Sequence, residues 1–212
     1  MSELLVNTVG TTGEGSRLLV LIHGYGADEY DLAPLAPHID PEGRFFTICP
    51  RGPHSVMGAG AGWYERNNDG SIDPAMFLAS VEAIDAAVDK ACAENGLDRS
   101  QAVFIGFSQG GAMTLASTLR SPGATRPAAI ACLSGMLQEI DGLDYAFSEG
   151  ESLPDILVHH GMLDPLVTID RGHKIRDTLT ANGIEHVYRE YPMQHEISPQ
   201  SVYDLRDWLA ER

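Results

Sequence analysis

Positive charge is scarce in this chain of 212 residues. Lysine occurs only at Lys90 and Lys174, and 14 Lys+Arg face 30 Asp+Glu, for a net charge of −16. That balance repels phosphate backbones and anionic lipid surfaces, which argues against nucleic-acid binding. Cysteine is rare too: Cys49, Cys92 and Cys132 are odd in number, lie in apolar surroundings and lack C-x-x-C spacing. They read as small buried thiols, not disulfides or metal ligands, and no metal is expected. No apolar stretch reaches the roughly 18 residues of a membrane-crossing helix. The opening Met1-Ser2-Glu3-Leu4 lacks the basic patch and apolar run of a signal peptide, so a cytoplasmic protein without integral membrane association is expected. Linkers, repeats and low-complexity tracts are missing as well, and the length suits one α/β domain, residues 1–212, better than two.

What is present is an alternation of short apolar runs and helical periods. Runs at Leu4–Val9, Leu18–Ile22, Phe45–Cys49, Ala102–Ile105, Ala129–Leu133, Ile156–His159 and Glu185–Tyr191 predict about seven strands. Most are continuously apolar, as parallel strands covered on both faces are; the last is more amphipathic and predicts a place nearer an edge. Between them, Phe77, Val81, Ile84, Val88 and Ala91 form one stripe in a helix predicted over Asp73–Asn95, with Asp73-Pro74 as its start and Gly96 as its stop. Further helices are predicted at Asp28–Ala36, Gln109–Arg120, Asp170–Ala181 and Ser198–Ala210, with Asp170 as an N-cap. This order implies a mostly parallel sheet with right-handed crossovers and helices on both faces. The stretch from Pro50 to Ser71 is irregular and Gly-rich, the pattern of a binding loop.

Gly106-Phe107-Ser108-Gln109-Gly110 falls where a predicted strand turns into a helix. G-x-S-x-G in that setting is a nucleophile elbow, with the serine on a sharp turn and the following helix aiming free N–H groups at an oxyanion. The pentapeptide alone also describes a Gly-rich turn, so its surroundings decide. A serine needs a base, and the base an orienting acid, both at the carboxyl ends of parallel strands. Of eight histidines, His195 follows the last strand and precedes the last helix. His159 and His160 end a strand, but adjacent strand residues point to opposite faces and chelate one ion poorly. Asp164 follows Ile156–His159, whereas Asp155 lies at the wrong end of that strand. Ser108, Asp164 and His195 thus appear in the order Ser, Asp, His. The Gln109 N–H and the Tyr25 N–H, in Ile22-His23-Gly24-Tyr25-Gly26, are the expected oxyanion donors. Trp63, Tyr64, Leu166 and Val167 are the candidates for lining the substrate site.

Four blocks, Leu21–Asp28, Gly106–Ala112, His160–Val167 and His195–Ile197, make the chain resemble the phospholipase/carboxylesterase family of small α/β-hydrolases, which includes acyl-protein thioesterases. His23-Gly24-Tyr25-Gly26-Ala27-Asp28, where eukaryotic thioesterases of the group typically carry H-G-L-G-D, looks more like the bacterial esterases. The resemblance implies an α/β-hydrolase fold with no separate lid domain and no cofactor. It implies a serine carboxylesterase acting on small-molecule esters, with Ser108, Asp164 and His195 as the triad and Tyr25 and Gln109 as oxyanion donors. The modest bulk of the expected lining suggests short to medium acyl chains; a lysophospholipase or acyl thioesterase would use the same triad. Exposed apolar surface leaves room for a homodimer.

Overall fold

Continuous apolar strands need cover on both sides, and in the computed structural model they have it. Described are residues 3–56, 58, 60–120, 126–147 and 153–212. In chain order the elements are β1 (Val6–Val9), β2 (Arg17–Ile22), a 3₁₀ turn (Ala33–Leu35), α1 (Ala36–Ile39), β3 (Phe45–Pro50), β4 (His54–Ser55), β5 (Ala61–Gly62), α2 (Pro74–Asn95), a second 3₁₀ turn (Arg99–Gln101), β6 (Val103–Phe107), α3 (Gln109–Leu119), β7 (Ala129–Leu133), β8 (Asp155–Gly161), α4 (Ile169–Ala181), β9 (Val187–Tyr191) and α5 (Pro199–Ala210). Seven strands form one sheet in the order β1-β3-β2-β6-β7-β8-β9. All its pairs are parallel except β1 with β3. The amphipathic β9 is an edge strand, as its alternation predicts.

Period-2 alternation sorts the strand side chains onto two faces. Leu18, Val20, Phe104, Ile130 and Val158 pack with α2, α3 and α4 residues such as Phe77, Val81, Met113 and Ile175. Leu19, Leu21, Ile105, Ala131 and Leu157 pack with Ile39 of α1 and Leu205 and Trp208 of α5. Fully burying each large aliphatic contributes roughly 1.5–3 kcal/mol, which is why the faces must be closed by helices.

The predicted stripe of α2 is buried throughout. Asp73 caps the helix by accepting the Ala75 N–H at 2.9 Å, Pro74 opens it, and Gly96 closes it in the left-handed region at φ 65°. The helix expected over Asp28–Ala36 is not there. Asp28 Oδ1 accepts the Tyr30 N–H at 2.9 Å in a local turn. Pro34 and Pro37 then supply no N–H to a helical ladder, leaving only a 3₁₀ turn and four α-helical residues. Thr168, not Asp170, is the N-cap of α4, and Asp170 lies in its first turn. In the stretch from Pro50 to Ser71, β4 and β5 form a small antiparallel pair, and Ala61 bridges to Ala27. Met57 and Ala59 of that stretch lie outside the described residues. The three cysteines are free and buried, and burial pushes the Cys49 and Cys132 thiols up to about 12.

The register matters most at the carboxyl edge. Phe107 pairs with Leu133, Leu133 with His159, and Gly161 with Tyr191, so four strands end on nearly one line. The loops leaving that line carry Ser108, Asp164 and His195.

Candidate active site

Ser108 stands between β6 and α3 at φ 56° and ψ −116°, a conformation that non-glycine residues rarely adopt. Its N–H donates to the Leu133 carbonyl at 2.8 Å, and its own carbonyl starts α3 by accepting the Ala112 N–H. The serine side chain does not cap the helix. Its hydroxyl faces His195 instead, with Oγ 2.8 Å from Nε2. The other ring nitrogen, Nδ1, lies 2.6 Å from Asp164 Oδ2. These contacts set the tautomer: Nδ1–H donates to the carboxylate, and Nε2 accepts from the serine.

Asp164 is held from its own loop. Its Oδ1 accepts the Leu166 and Val167 N–H groups, each at 2.9 Å, and its side chain is fully buried. His160 Nε2 then donates to the Val167 carbonyl at 2.7 Å, tying that loop to the end of β8. The Phe107 ring packs against the His195 ring with centroids 4.9 Å apart. Thus three side chains separated by 31 and 87 residues form one hydrogen-bonded relay.

The loop after β2 comes up against the serine: a Cβ placed on Gly24 would lie 3.4 Å from Ser108 Cβ. In that loop Gly26 N–H donates to Ala61 O and Ala27 N–H to Gly24 O. Tyr25 stands between Gly24 and Gly26 in this loop, and Gln109 N–H, first in α3, has no intrahelical acceptor. His23 braces the loop from beneath. It is buried, its Nδ1–H donates to Gly24 O at 2.7 Å and its Nε2 accepts Gly52 N–H at 3.0 Å. Burial holds its pKa below the ordinary imidazole value, in keeping with a neutral ring.

The Gln109 side chain has a part that the motif does not reveal. Its Oε1 accepts the Trp63 N–H and its Nε2 donates to the Tyr64 carbonyl, both at 2.7 Å. One amide therefore clamps the loop carrying both aromatics to the elbow. Gln109→Ala should leave a buried N–H and a buried carbonyl unpaired and cost about 2–4 kcal/mol. Urea denaturation checks this; an unchanged midpoint would refute the clamp.

The relay opens into a cleft of about 630 Å³. Tyr25, Tyr64, Leu166 and Val167 line it, together with Ser108 and Gln109. Trp63 does not: it is 0 % exposed, packs on His23 and donates its Nε1–H to the His23 carbonyl at 2.9 Å. The expectation that Trp63 lines the substrate site is corrected accordingly, because its indole is held in the core by its contacts with His23. Arg66, Met136, Thr168 and Arg171 also line the cleft and were not picked out by sequence reasoning. Their only signals were position: Arg66 in the irregular loop, and Thr168 and Arg171 just past the Asp164 turn.

His159 and His160 do not converge. His159 Nδ1 meets Ser201 Oγ and its Nε2 meets the Tyr191 hydroxyl, while His160 points to Val167. Burial pushes His159 down to about 4. No group of three or more potential metal ligands occurs among the described residues. None of their helices is long and apolar enough to cross a membrane.

Residues 7–211 match the family model described as phospholipase/carboxylesterase. A probable carboxylesterase of Arabidopsis thaliana, SOBER1-like, is 31% identical over 66% of this chain and 53% of its own length. The chain spans about half to three fifths of the plant carboxylesterases it matches. Mouse lysophospholipase-like protein 1 is 24% identical over 96% of this chain and 90% of its own. The crystal structure of a carboxylesterase from Mesorhizobium loti superposes with a TM-score of 0.82 at 25% identity, covering 99% of this chain and 95% of that one. With its α/β-hydrolase sheet and a match across nearly its whole length, the chain belongs to the phospholipase/carboxylesterase family.

Proposed function

We propose that the protein is a serine carboxylesterase hydrolysing short- to medium-chain esters of small molecules through an acyl-enzyme on Ser108. The carrying observation is the relay itself, with contacts of 2.8 and 2.6 Å opening into one cleft. His195 Nε2 takes the Ser108 proton as Oγ attacks the ester carbonyl, and Asp164 stabilises the imidazolium. The tetrahedral oxyanion is held by the Gln109 and Tyr25 N–H groups. Collapse breaks the ester C–O bond, and His195 returns its proton to the departing alcohol. A water then gives its proton to His195 and attacks the acyl carbonyl; Ser108 leaves with that proton and the acid is freed. Every step uses this chain's own groups and water.

The short-chain preference rests on the cleft's size and on the side chains of Tyr64, Leu166 and Val167 along it. A lysophospholipase or thioesterase reading has the mouse relative in its favour. A panel of oxygen esters and thioesters from acetyl to palmitoyl, run beside fluorophosphonate labelling, tests both. Labelling with peak kcat/KM at acetyl to octanoyl oxygen esters is expected. A peak at palmitoyl, or on thioesters, would replace the reading with the second one, and absence of labelling would end both.

A further inference from the structure

Ten residues line the cleft, and among them are two arginines, Arg66 and Arg171, but no aspartate or glutamate. In a chain with 30 acidic and 14 basic residues, that composition is the reverse of the whole. The pairing of the other cations sharpens the contrast. Both lysines and eight arginines stand in ion pairs with carboxylates. Arg17 gives its guanidinium to the Gln101 carbonyl, and Arg126 gives its own to the Thr118 and Ala146 carbonyls.

Arg66 and Arg171 have no carboxylate partner among the described residues, and both are exposed. Arg66 reaches Gly70 O at 3.1 Å, the Met136 sulfur at 3.7 Å, a weak acceptor, and the Tyr64 hydroxyl, and none of these partners carries the charge that would neutralise it. Arg171 projects from the first turn of α4. Glu139, whose carboxylate feels the Arg171 charge through space, is already paired with Lys174. Two guanidinium groups without a carboxylate partner, both on the lining of one cleft, offer donor forks suited to an oxyanion.

We infer that the cleft selects esters bearing an oxyanion, carboxylate or phosphate, near the scissile carbonyl, an inference that rests on the serine esterase reading above. A planar fork matches two oxygens of either group, and a neutral ester of equal length forfeits those bonds. The long-range field of a chain at −16 opposes such a substrate, so selection falls to the local pair.

Four esters test this by pH-stat: monomethyl glutarate against methyl pentanoate, and 1-butyrylglycerol 3-phosphate against 1-butyrylglycerol. Expected is about a tenfold higher kcat/KM for at least one anionic ester over its neutral partner. Arg66→Gln and Arg171→Gln should each lower that ratio by about threefold or more. Which pair shows the preference identifies the oxyanion. Glutarate should also inhibit more strongly than pentanoate, and less so in each variant, a binding readout independent of turnover. A ratio at or below unity in both pairs, or one unmoved by both substitutions, overturns the inference while leaving the esterase intact. Hydrolysis of none of the four would overturn the esterase reading itself.

Discussion

Replacing Ser108 by alanine should lower kcat/KM for a short-chain ester by about 10⁴- to 10⁶-fold and leave the melting temperature almost unchanged. Loss of Oγ removes the only group that can form the acyl bond in the proposed mechanism, while the oxyanion donors and the cleft remain. Stability is spared because the serine side chain caps no helix. Alanine also inherits the same backbone at φ 56°, so the local strain is neither relieved nor increased. His195→Ala should cost a comparable factor, since it deprives the serine of its base. The double variant should be little worse than either alone, because the two act as a unit. Steady-state kinetics on purified, folded variants check the set. Wild-type rates in Ser108→Ala, or a doubly multiplied loss in the pair, would sink the assignment.

Gly110→Ala should be the most damaging single change to the fold near the site. A Cβ there would lie 1.9 Å from the Ile22 carbonyl oxygen and 2.6 Å from that of His23. Both are main-chain atoms at the end of β2, so no flexible side chain can give way. Either α3 lifts off the sheet or β2 shifts, and each movement breaks packing shared with the elbow. The expected loss is more than about 4 kcal/mol, which for a domain of this size lowers the melting temperature by roughly 10 °C or more. Activity should fall further than stability alone explains, because Gly110 follows Gln109 directly and Ile22 and His23 lead into the Tyr25 loop. A thermal scan with a normal midpoint would refute the contact.

Much of this was legible in sequence for stated reasons. Leu18–Ile22 and Ala129–Leu133 read as central strands because both faces are covered, so every position is apolar. Ser108, Asp164 and His195 could be singled out together because each directly follows a strand, and parallel strands bring their ends together. Asp28–Ala36 misled because its apolar spacing is helical while Pro34 and Pro37 forbid the ladder. Trp63 and Tyr64 are neighbours in one loop, and the Trp63 ring is held in the core by the His23 carbonyl, 40 residues away. No local pattern encodes that. The same holds for Arg66 and Arg171, which come from the loop before α2 and from α4 and line one cleft only in the folded chain.

The line of strand ends at Phe107, Leu133 and His159 separates two kinds of mutational freedom. The groups proposed to move protons are carried by loops leaving that line of buried backbone, where almost any change is felt throughout the sheet. Groups that line the cleft include exposed ones such as Leu166, 74 % exposed. A lineage could therefore exchange one substrate for another through substitutions in the walls while inheriting the chemistry untouched, and directed evolution of new specificity should begin there.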